Sequence, residues 1–352
     1  MKGKLRDILL INAVAVLLGL VVSGLMILLL KKNPLEAFGL LFTSMVRDRY
    51  TIGDIFVKAT PLMFTALAFA FTYKANLFNI GAQGQFYIGA LVAVSVSLRF
   101  PQKWALLLVL VLVVLSSGLW GAAIGYAKAK FKANEFLISM MSTYVALALM
   151  NYLLRTRLLE TKGEYPQTDP LLESIWLPKL LAGTRLHVGF ILAVVACLGI
   201  WVLLYKTALG FRIRAVGYNG EAAATSGINT GRIHIAAFFV SGSLAGLAGF
   251  TEVNGVQHML LQGFNPDIGS IGIGIAILAN ANPIGIIFAS ILFGALRVGG
   301  QIMGQRSQIP SSIIDLMQGF VMVFVIMGYF VRNELDRKRK IRKLLLEEGG
   351  VQ

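Results

Sequence analysis

Three carboxamides interrupt an apolar stretch near residue 80. Asn79, Gln83 and Gln85 sit among Gly81, Gly84 and Gly89 in LFNIGAQGQFYIGA at 77–90. An amide in a hydrocarbon environment needs a partner, and glycines let backbones approach closely. Asn79 and Gln83 are four residues apart, a spacing that places both on one helix face. Two readings are open. The amides line a polar path through a discontinuous helix, or they only tie neighbouring helices together. A second polar pair, Asn280 and Asn282, precedes Pro283 in the glycine-rich region 263–300. With 81–89 it gives one interrupted element in each half of the chain, the pattern of an inverted repeat with a path between the halves.

The next feature is polar and lies between apolar runs: GFRIRAVGYNGEAAATSGIN at 210–229. Glu221-Ala222-Ala223-Ala224 is strongly helix-forming. Asn219 is a suitable cap for that helix, and Gly227 a suitable end. Arg212 and Arg214 suit a cytoplasmic surface. A short helix of small residues between glycines is a knob that another protein could grip. A plain amphipathic linker is the other reading.

Other chemistries lack their residues. There is no GxxxxGK[ST], so the chain has no phosphate-binding loop of its own. His187, His234 and His258 are not at metal-ligand spacing, and the single cysteine, Cys197, excludes an intrachain disulfide. No nucleophile–base arrangement stands out, which points away from an enzyme. No acid interrupts an apolar run. Ion-coupled carriers often keep one there, so an ion-coupled secondary transporter is the weaker rival.

These residues must be positioned by membrane helices. The chain has 352 residues, 57% hydrophobic and 14% charged, with a mean hydropathy of +0.74. Soluble domains carry about 25% charged residues. The net charge of +15 is a nucleic-acid signature only on soluble basic surface; here it reads as orientation in a bilayer. Uncharged runs fall at 8–30, 59–73, 75–98, 104–127, 136–154, 188–205, 233–251, 268–296 and 316–331. The run 268–296 is too long for one crossing and holds Pro283, a helix breaker. Splitting it gives an all-α, polytopic fold of about ten transmembrane segments, with a permease domain at 1–331 and a basic cytoplasmic tail at 332–352. Basic residues at 1–7 and in the tail place both termini in the cytoplasm. The longest extracytoplasmic loop is then 155–187, and the longest cytoplasmic loop 206–232. Asn33-Pro34-Leu35-Glu36 reads as a capping box. It opens a short helix whose Leu35, Phe38, Leu41, Phe42 and Met45 suit the outer membrane interface.

Taken together, FNIGAQGQ at 78–85, RAVGYNGEAAATSGIN at 214–229 and NPIGIIFASILFGALRVGG at 282–300 resemble the membrane permeases of ABC importers in the branched-chain amino acid and simple-sugar family. PLEAFGLLFTSM at 34–45 and the LFNIGAQGQ wording are most similar to nucleoside permeases, guanosine-type systems of Gram-positive bacteria among them. The resemblance implies a heterodimer with a second, shorter permease and an ATPase on the cytoplasmic face. It also implies an extracytoplasmic lipoprotein that delivers nucleoside; a monosaccharide or branched-chain amino acid is the alternative cargo. It implies no cofactor on this chain and ATP on the partner. It assigns ATPase coupling to Arg214, Gly217, Asn219, Ala222, Ala223, Gly227 and Ile228. Members often carry glutamate where this chain has Gln83.

Overall fold

The computed structural model describes the backbone of residues 2–348; the side chains of 2–13, of Ser311 and Tyr329, and many of those beyond 331, are not described. Among the described residues thirteen α-helices make up the fold, and the β-structure is limited to two isolated bridges. Among the described residues, six helices are long and apolar enough to cross a membrane: α3 (Arg49–Tyr73), α5 (Ala105–Phe131), α6 (Glu135–Leu154), α7 (Gly189–Lys206), α10 (Thr230–Glu252) with the π turn that follows it, and α12 (Pro283–Ser307). Shorter apolar stretches lie at Val14–Leu29 in α1 (Lys2–Leu29), at Ile268–Leu278, which is α11, and at Ser312–Gly328 in α13 (Ser311–Glu348). α4 (Ala82–Arg99) stands outside the six, because its glutamines and terminal arginine lower its hydropathy.

Two compact units divide the chain. In the unit formed by 1–44 and 299–352, α1 packs on α13. A Cβ at Gly19 would lie 2.6 Å from the Val321 Cα. α2 (Pro34–Met45) begins as expected, with Asn33 Oδ1 accepting from the Leu35 amide. Its buried face is Ala37, Leu41 and Ser44, while Leu35 and Phe42 are left exposed. α13 runs without interruption into the basic tail, and residues 349–352 lie outside the described chain.

The unit 45–298 is built on three buried helices, α3, α4 and α10. Glycines set their spacing. A Cβ at Gly89 on α4 would overlap Gly246 of α10, and one at Gly249 would lie 2.6 Å from the Ala90 amide. On the other side of α10, Gly242 faces the Ser117 carbonyl of α5, and Gly125 of α5 lies against Ile235. The motifs Gly121-xxx-Gly125 and Gly242-xxx-Gly246 are therefore the seam of the α5–α10 crossing. Small residues bring backbones together where lipid supplies no hydrophobic drive.

Several boundaries differ from the sequence expectation, each for a local reason. α3 starts ten residues before the uncharged run at 59, because Asp48 caps it: the Thr51 amide donates to Asp48 Oδ1 at 2.7 Å. Asp54, in its second turn, pairs with Arg185 at 3.2 Å. The run 75–98 is not one helix, since 75–81 is a non-helical break before Ala82. The segment 206–232 is mostly helix, α8 (Ala208–Tyr218) and α9 (Gly220–Thr225). The predicted break before Pro283 is present, with Asn280 and Ala281 both at positive φ.

Candidate functional site

The amides near residue 80 form two hydrogen-bonded groups. Asn79 is not on the helix; it precedes α4, and its Oδ1 accepts from the Gly81 amide at 2.9 Å. It therefore shares no helix face with Gln83. Its Nδ2 donates to Gln85 Oε1 and to Ser241 Oγ, both at 2.8 Å. Ser241 Oγ in turn donates to the Ala68 carbonyl at 2.8 Å. This chain of bonds ties α3, α4 and α10 together. Asn79, Gln85 and Ser241 are fully buried, so the bonds satisfy polar groups whose desolvation would otherwise be costly.

Gln83 bonds elsewhere. Its Nε2 donates to the Asn265 carbonyl at 2.9 Å, and its Oε1 accepts from the Gly269 amide at 2.6 Å. It thus holds the start of α11 and the turn before it against α4. Asn265 Nδ2 donates to Glu252 Oε1 at 2.8 Å, and Glu252 is 2% exposed. This carboxylate corrects the expectation that no acid enters a spanning element. It directly follows the uncharged run 233–251, and the helix includes it and continues through the π turn Val253–Gln257. A π turn inserts one residue into a helix and recurs at functional sites.

The long loop 155–187 docks on the chain that follows. Thr168 N donates to the Leu260 carbonyl, Leu171 N to the His258 carbonyl and Leu177 N to the Asn254 carbonyl. Trp176 stacks on His258 with centroids 3.7 Å apart. Burial, and secondarily His258, pushes the His187 imidazole down to about 4.

Asn280 and Asn282 lie away from these groups. Both are exposed at the end of the unit where Lys74 Nζ donates to the Asn280 carbonyl at 3.4 Å. Asn282 Oδ1 accepts from the Ile284 amide and so caps α12.

The expected coupling residues sit at that same end. Asn219 is extended and breaks the segment in two: its Oδ1 accepts from the Glu221 and Ala222 amides, both at 3.0 Å. One helix over 215–228 is thereby excluded. α9 closes on Gly227, at φ +82°. The Gly227 amide donates to the Ala224 carbonyl and the Ile228 amide to the Ala223 carbonyl, a Schellman ending. Ala222 and Ala224 face outward, whereas Ala223 is buried. Arg214 belongs to α8 and lies over the Tyr205 ring, 5.3 Å from its centroid. Gly217 abuts the Lys74 carbonyl. Beside α9 is an open cleft of about 660 Å³, lined in part by Asn76, Asn219, Glu221, Lys128 and Glu135. Lys128 and Glu135 pair at 2.7 Å.

The family model described as "Branched-chain amino acid transport system / permease component" matches residues 51–326. That span holds all of these groups. The chain belongs to this family. It is an ABC transporter permease and a multi-pass membrane protein. Over 337 residues it is 30% identical to the guanosine ABC transporter permease protein NupP of Bacillus subtilis, covering 94% of this chain and 97% of that one. The glucose ABC transporter permease protein of Haloferax volcanii is 31% identical over 90% of this chain and 87% of its own. The nucleoside ABC transporter permease protein NupB of Lactococcus lactis is 29% identical over 97% of each. No solved structure matches the permease significantly.

Glu252, Asn265 and Ser241 were missed in the sequence. The one available signal was the lone acid closing an apolar run.

Proposed function

We propose that this permease carries nucleosides into the cell as the membrane subunit of an ABC importer. ATP hydrolysed on partner ATPase subunits drives it through alternating access. The observation that carries the reading is the near full-length match to two permeases named for guanosine and nucleoside transport. A second permease subunit is part of the proposal: NupQ and NupC, further permeases of the same two organisms, also match, at 25% and 27% identity. An extracytoplasmic lipoprotein supplies the substrate in this reading, and both termini and α9 face the cytoplasm.

The ten-crossing topology belongs to the same proposal. It is supported by the way the chain sorts its polar ends. Lys74, Lys128, α9 and Asn280 gather at one end of the unit 45–298, where α3 ends and α12 begins. The loop 155–187 and the Asn254–Leu260 segment meet elsewhere. Gln83, held to α11, is placed on the pathway; Asn79 and Gln85 act as its support. α9 is the element that the ATPase grips.

A monosaccharide cargo is the second reading, favoured by the glucose permease match. The test is uptake by the complete complex in proteoliposomes loaded with ATP. Labelled guanosine, adenosine and uridine are offered beside glucose. Nucleoside accumulation that glucose does not compete supports the proposal. Glucose accumulation without nucleoside uptake overturns the cargo, and accumulation without ATP overturns the mechanism.

A further inference from the structure

A second, smaller cleft of about 270 Å³ lies between α3 and α8, walled by Lys74, Asn76, Tyr205, Arg214 and Gly217. Its construction follows from the sequence. α3 stops at Tyr73 and leaves Lys74 as its cap. Gly217 lets α8 press against the Lys74 carbonyl, which brings Arg214, one turn earlier, to the same opening.

The two cations have no acid between them. Among the described residues no carboxylate lines the cleft, and neither Lys74 nor Arg214 forms an ion pair. The Lys74 ammonium has the Asn280 carbonyl at 3.4 Å. The Arg214 guanidinium rests on Tyr205, and its Nε is buried without a hydrogen-bond partner. The neighbouring cleft is built differently, since Lys128 is matched there by Glu135. Carbonyls at a helix C-terminus could offset the charge. Those of α3 are already bonded: Ala70 to the Lys74 amide, Thr72 to the Ala75 and Leu77 amides, Tyr73 to the Asn76 amide. Burial first, and then Arg214, holds the Lys74 ammonium below its usual range, as expected of like charges sharing a desolvated site.

We propose that the Lys74–Arg214 cleft is an oxyanion site that takes a phosphate group, unconnected with the transported cargo. Arg214 supplies a planar fork of donors suited to phosphate, and Lys74 a compact point charge. Tyr205 beneath the guanidinium restrains its plane. The phosphate comes from an anionic lipid headgroup or from soluble phosphate; the recognition chemistry is shared.

The test uses the purified full-length permease in neutral detergent. Dioctanoyl phosphatidylglycerol and inorganic phosphate are titrated separately, and binding is read by thermal shift and native mass spectrometry. Saturable binding of phosphatidylglycerol alone assigns the site to a lipid headgroup. Saturable binding of both, with mutual competition, assigns it to soluble phosphate. The double variant Lys74→Gln/Arg214→Gln is expected to weaken binding at least about tenfold, since charge-assisted hydrogen bonds are the strong ones. Lys74→Arg is expected to keep it. Should the double variant fail to fold, protection of Lys74 from amine acylation in the wild-type protein, by phosphatidylglycerol or by inorganic phosphate, decides. No saturable binding of either probe, equal binding by the double variant, or unchanged acylation overturns the proposal.

Discussion

At the scale of single residues, the amides divide by what they hold. Asn79 and Gln85 bond only within the α3, α4 and α10 bundle. Replacing Asn79 with alanine leaves the Ser241 and Gln85 side chains short of a buried partner. Such a loss costs about 1–3 kcal/mol, so Asn79→Ala is expected to lower the unfolding temperature. Gln83 instead holds the turn before α11. Gln83→Leu is expected to cut nucleoside uptake several-fold at equal membrane expression, with ATPase retention on purification unchanged. Uptake equal to wild type would reduce Gln83 to a packing residue. His187 gives a pH dependence whose sign is fixed. Its folded value near 4 lies below the ordinary 6.5, so the unfolded chain binds more protons between those values. Stability is fully present above about 6.5 and falls as the pH drops toward 4. Thermal melts at pH 7 and pH 5 check this. His258, which burial also pushes down to about 4, adds in the same direction, so His187→Gln is expected to reduce the difference and not to abolish it.

Elements were legible where a breaker or a cap stood in the sequence. Pro283 and the asparagines before it marked the end of α11, and Asn219 and Gly227 marked both ends of α9. Elements were misread where charge alone was used to bound them. Arg49, Asp54 and Lys58 hid the first turns of α3, and Glu252 hid the last turn of α10. The α5–α10 seam was invisible because glycine spacing does not name the partner helix. Two variants test the reading of α9. Ala222→Trp adds bulk on an exposed face and is expected to yield a stable, membrane-inserted permease that no longer retains the ATPase. Ala223 is unsuitable for this, since it is 5% exposed and a tryptophan there would disturb the helix itself. Gly227→Ala has open space for its Cβ but must hold φ at +82°. The expected cost is about 1 kcal/mol, read as weakened ATPase retention or as a lower melting temperature.

For the whole molecule, the topology proposal yields accessibility. In a Cys197→Ala background, Lys162→Cys on the docked loop is expected to react with a membrane-impermeant maleimide in intact cells. Glu221→Cys, at the start of α9, is expected to react only after permeabilisation. The opposite pattern would invert the orientation.

α9 has both ends closed by its own hydrogen bonds, and α8 meets the end of α3 backbone to backbone at Gly217. The Lys74 and Arg214 side chains border that joint, but the contact itself is between backbones. In the proposed coupling, a push that the ATPase delivers to α9 reaches α3 through this backbone contact, with α8 as the lever and Gly217 as its fulcrum. Stiffness of this kind favours a stroke that is complete or absent over one that is graded. A single added methyl at Gly217 would act as a wedge under the lever, leaving ATP hydrolysis running without cargo movement.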